Sequence, residues 1–138
     1  MNWKLILQLS MLGLAMGIAT VFVIPSNIEP IFWVAIFVVC ASIISKKCKR
    51  WFFLNGFMVS IVNSVWVTTA HVLLFDSYSA RHASEMEMMA QLPIGNSPRL
   101  LMILLAPVSG IVFGLILGLF SYVAHRIRNA SRTKSQVH

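Results

Sequence analysis

Apolar positions in this chain recur on no single helical face; they run on almost without interruption in four stretches. Residues 5–24 (LILQLSMLGLAMGIATVFVI) carry only Gln8, Ser10 and Thr20 as polar side chains. Residues 51–75 (WFFLNGFMVSIVNSVWVTTAHVLLF) and 100–124 (LLMILLAPVSGIVFGLILGLFSYVA) are longer still. The second stretch reaches a comparable length when counted over residues 28–45, which takes in Glu29 and Pro30. A proline there suits the first turn of a helix, where the missing N–H costs nothing. A helix crosses the hydrocarbon core with about 20 apolar residues. A helix that is apolar all round has no face for water and belongs in lipid or a large core. The pattern therefore predicts an all-α membrane protein, a four-transmembrane-helix antiparallel bundle forming one domain over residues 1–138. Composition agrees: 58% of residues are hydrophobic and 11% charged, against about 25% charged in soluble domains.

The intervening segments differ in kind. PSNIEP and SKKCKR are tight, so neighbouring spans read as helical hairpins. PSNIEP also lacks a small-x-small cleavage site, which makes the first span a retained helix rather than a signal peptide. The loop 76–99 is longer. Its part SYSARHASEMEMMAQL has no Gly or Pro and predicts one short amphipathic helix on the outer membrane surface, methionines towards lipid.

Net charge of +7 raises nucleic-acid binding, but the distribution argues otherwise. Lys46, Lys47, Lys49 and Arg50 form one cluster, and Arg126, Arg128, Arg132 and Lys134 another, each at the end of an apolar run. Such clusters set topology and touch anionic headgroups, and no nucleic acid is expected. With both termini cytoplasmic (N-in/C-in), nine of the eleven basic residues lie inside, and only Arg81 and Arg99 outside. All four acidic residues, Glu29, Asp76, Glu85 and Glu87, then fall outside. This assigns the chain to a plasma (inner) membrane, with residues 125–138 as a basic cytoplasmic tail that is disordered apart from headgroup contacts.

Lipid gives helices no hydrophobic reason to associate, so small residues mark close approach. Gly110, Gly114 and Gly118 recur every four residues in the fourth span, and Gly13 and Gly17 in the first. These two helices pack on each other, or either pairs with its copy in a second chain; the pattern allows both. The third span carries polar groups instead. At 100° per residue Ser60, Asn63, Ser64, Thr68 and His71 occupy an arc of roughly 140° that should avoid lipid.

Candidate chemistry is sparse. His71 is an ionisable group at membrane depth, which marks a relay, ligand or transport role, or an imidazole bonded across the bundle. His71, His82, Met86, Met88 and Met89 offer soft and borderline ligands of the kind that take copper at an outer face, although methionines beside a surface helix more often meet lipid. The four acids sit in outer loops or at helix ends, and no phosphate-cradling loop or nucleophile elbow occurs, so neither an enzyme nor a cofactor is expected. The leading expectation is a non-enzymatic accessory, assembly or structural membrane protein, oligomeric or with a membrane-protein partner. The alternative is a small transporter or channel using the polar face of the third span.

Overall fold

The computed structural model describes residues 1–94 and 96–137. It is built from helices, with no strand among the described residues. Four helices are long and apolar enough to cross a membrane: α1 (Trp3–Phe22), α2 (Glu29–Lys47), α3 (Phe52–Leu73) and α6 (Pro98–Gln136). Two short helices, α4 (Phe75–Arg81) and α5 (Ala83–Ala90), join α3 to α6.

Local signals account for most boundaries. The Asn2 side chain accepts a hydrogen bond from the Leu5 amide and caps α1. Pro30 stands at the start of α2, and Lys46 and Lys47 occupy its last turn, facing the negative end of the helix dipole. Trp51, before α3, adopts a left-handed conformation (φ 60°, ψ 39°) that costs a non-glycine residue roughly 1 kcal/mol or more. The Asn55 carboxamide holds that turn, donating to the Trp51 carbonyl at 2.8 Å and accepting from the Asn2 amide at 3.0 Å.

Two segments differ from expectation. The single surface helix is two, broken at His82 (φ −119°, ψ 50°) although no Gly or Pro stands there. The break follows from burial of the His82 side chain against Tyr78 and Glu29, a tertiary cause. Likewise, the basic tail is not disordered: α6 continues to Gln136. No Gly or Pro follows Gly118 to stop it, and bonds such as Ser131 Oγ to the Ile127 carbonyl run along it.

α3 is the hub, packed on α1 along one side and on α6 along another, while α2 rests mainly on α6. The larger apolar core gathers the start of α1 (Leu5, Ile6, Leu9), the end of α2 (Cys40, Ala41, Ile44) and Val59 with Leu117. A smaller one joins Val21, Tyr78 and Met102, with Phe75, Met86 and Met89 against it. α2 meets α6 through aromatic edges, Phe37 lying 6.0 Å from Phe113 and 6.4 Å from Phe120 in T-shaped pairs. Further along the same seam Arg128 donates to the Ser45 carbonyl.

Candidate functional site

The glycine stripes of α1 and α6 both face α3. A Cβ at Gly17 would come within 3.1 Å of the Val67 Cα, and one at Gly13 would run into the Asn63 side chain. On the α6 side, a Cβ at Gly110 would meet Ser64, at Gly114 Phe57, and at Gly118 the Phe53 carbonyl at 2.9 Å. The stripes are thus occupied within the chain, each against the helix that the sequence marked for its polar groups. Gly56 on α3 has the same role and was not singled out, because it stands alone without a four-residue repeat. A Cβ there would lie 2.7 Å from the Leu117 carbonyl.

Polar side chains line the α1–α3 seam between these contacts. Trp66 Nε1 donates to Ser10 Oγ at 3.3 Å, which explains an indole in mid-span. His71 Nε2 lies 2.8 Å from Thr20 Oγ1, whose hydroxyl donates to the Gly17 carbonyl at 2.9 Å. With that hydroxyl proton committed, the imidazole donates through Nε2–H. His71 therefore turns to α1.

Asn63 straddles two sides of α3, its carboxamide lying against Gly13 of α1. Ser60, Asn63, Ser64 and Thr68 line a cavity of roughly 520 Å³ between α2, α3 and α6. Trp33 and Phe37 of α2 form the second wall, and Phe113, Ile116 and Phe120 of α6 the third. Glu29, Ser26 and Glu85 also line it, near the α1–α2 turn and α5. Asn63 is 3% exposed, and neither atom of its carboxamide has a hydrogen-bond partner. A buried amide left so costs on the order of 1–3 kcal/mol, and both of its polar atoms are closed off from the cavity space.

A stack of three rings runs beside this cavity. Tyr78 lies between His71 (centroids 4.2 Å apart) and His82 (4.3 Å). His82 is buried, and its Nε2 stands 3.7 Å from Glu29 Oε2, within ion-pair range for an imidazolium but too far for a hydrogen bond. The other oxygen of Glu29 accepts from Trp33 Nε1 at 3.0 Å. Burial pushes the Tyr78 hydroxyl up to about 12, and the charges of Glu29 and Glu85 act in the same direction. Glu85 sits below the ordinary carboxylate range: its slight burial opposes the shift, but hydrogen bonds from Ser26, its own backbone and Ser84, with nearby His82, outweigh it.

The five residues of the predicted polar arc thus divide: Ser60, Ser64 and Thr68 on the cavity wall, His71 on the α1 seam, and Asn63 between the two. The residues named for metal separate as well. Tyr78 stands between His71 and His82, Met86 and Met89 pack on the smaller core, and Met88 is exposed. Among the described residues no three His, Cys, Asp or Glu side chains come together as a metal site. Glu29 and Tyr78 were missed as site residues, Glu29 because it reads as a helix start and Tyr78 as an interface anchor. The spacing of Glu29 and Trp33, four apart on one helical face, was the available signal. Comparison of the chain with protein-family models, curated proteins and solved structures finds no match.

Proposed function

We propose that this chain is a four-span plasma-membrane protein that binds a small molecule between α2, α3 and α6 and carries it through the membrane. The observation behind this reading is the cavity itself. It is large enough for a small ligand, walled by aromatic rings, and has one polar row of hydroxyls, Ser60, Ser64 and Thr68. Ligand sites share that composition, mostly apolar with a few placed polar groups. The glycine stripes of α1 and α6 pack on α3, so this reading does not draw on them for a partner chain.

In this reading the bundle is antiparallel, both termini are cytoplasmic, and α4 and α5 lie at the outer surface. The basic clusters at Lys46, Lys47, Lys49 and Arg50 and at Arg126 and Arg128 rest on anionic headgroups of the inner leaflet. Glu29 and Glu85 then stand at an outward mouth. The protein performs no covalent chemistry.

The test is flux into proteoliposomes from a panel of cationic, neutral and anionic aromatic solutes. Wild type moves at least one of them. Ser109→Phe, which fills the cavity from α6, lowers that flux at least about tenfold at unchanged protein content. A wild type that moves nothing across the panel, or a filled variant that moves as much as wild type, would sink the proposal.

A further inference from the structure

We infer that the ligand of this cavity is an organic monocation with an aromatic or bulky apolar body. The inference rests on the cavity being a ligand site and adds the chemical class. Two observations carry it. First, the charged side chains lining the cavity are Glu29 and Glu85, with no Lys or Arg among the described lining residues. A cation entering there meets carboxylates alone, and an anion would meet only repulsion. Second, the walls behind the carboxylates are faces and edges of Trp33, Phe37, Phe113 and Phe120. Such rings hold an apolar body by area and attract a cation through the ring quadrupole.

Glu29 is prepared for the task. Trp33 Nε1 holds its Oε1, while Oε2 has only the distant His82 Nε2 at 3.7 Å. That oxygen keeps lone-pair capacity for a cation. Glu85 shifts towards the ionised form through its hydrogen bonds, which favours a cation beside it. An alkali or divalent metal ion fits poorly, because the flanking surface is hydrocarbon and would not replace a tight hydration shell. A soft, weakly hydrated organic cation loses little on entering it.

The experiment uses three aryl probes on the full chain in nanodiscs: the size-matched ions tetraphenylphosphonium and tetraphenylborate, and the smaller neutral triphenylphosphine oxide. Binding is measured by equilibrium dialysis, with discs carrying Ser109→Phe as blank. The phosphonium binds at least about tenfold more tightly than the neutral oxide, and the borate not measurably. Glu29→Gln keeps an acceptor for Trp33 and weakens the phosphonium about fivefold, leaving the oxide unchanged. Glu85→Gln acts in the same direction, a second variant should the first not fold. Equal binding of all three probes, or a phosphonium affinity indifferent to both substitutions, overturns the cation class and leaves the cavity standing as a site. Absence of all binding above the blank overturns both.

Discussion

Thr20 and His71 answer what an imidazole is doing in an apolar helix: it bonds to a hydroxyl of the neighbouring span at 2.8 Å and stacks on Tyr78. Nothing local foretold the partner, since Thr20 and His71 are 51 positions apart. A hydrogen bond of this kind between membrane helices contributes about 0.6 kcal/mol on average and up to about 1.7 kcal/mol. Thr20→Val and His71→Phe, the second keeping a ring against Tyr78, should each destabilise the folded protein in detergent. Their effects should fall short of additivity by an energy in that range. Additive losses in a double-mutant cycle would show that the pair is merely adjacent. His71 could be assigned to the interior from sequence because lipid does not accommodate an imidazole. It could not be assigned to a wall, because one polar arc on α3 serves both α1 and the cavity.

Among the elements, α3 does the organising. One side meets glycines of α1, another glycines of α6, and Gly56 answers in return with the closest backbone approach of the α3–α6 seam. A methyl group there would press on the Leu117 carbonyl at 2.7 Å and the Gly118 Cα at 3.0 Å, atoms that move only if a helix moves. At Gly17 the nearest atom stands at 3.1 Å and the next at 3.4 Å, a displacement of a few tenths of an ångström. Gly56→Ala should therefore lower the melting temperature of the solubilised protein more than Gly17→Ala. The loss falls in the 1–3 kcal/mol range of overpacked cores. Equal tolerance at both positions, read by fluorescence-detected size exclusion after heating, would contradict that seam. The four-residue repeats told which helices approach something closely. They did not tell what, since a small residue is complementary to any helix face.

For the molecule as a whole, the distribution of charge makes the strongest prediction. Asn27 and Lys49 lie at opposite ends of α2, in the two short turns, and both are exposed. In a Cys48→Ser background, a membrane-impermeant maleimide added to intact cells should label Asn27→Cys. Lys49→Cys should label only after permeabilisation. The opposite pattern would invert the topology and move the carboxylates of the cavity to the cytoplasmic side. Buried Cys40 does not interfere with the readout.

The number of long apolar helices, and that they are long and apolar enough to cross a membrane, were legible because both depend on run length and composition, properties a chain carries before it folds. The charge bias argues for a topology on the same basis. The partner of each helix, the break at His82 and the cavity were not legible. They arise where residues far apart in sequence compete for the same space. Phe37 reaches across to Phe113 and Phe120, so α2 rests on α6 and a space opens in front of Ser60, Asn63, Ser64 and Thr68. His82 leaves the helical path because its ring is buried against Tyr78 and Glu29. Periodicity reports which way a side chain points on its own helix. Only packing decides what stands opposite.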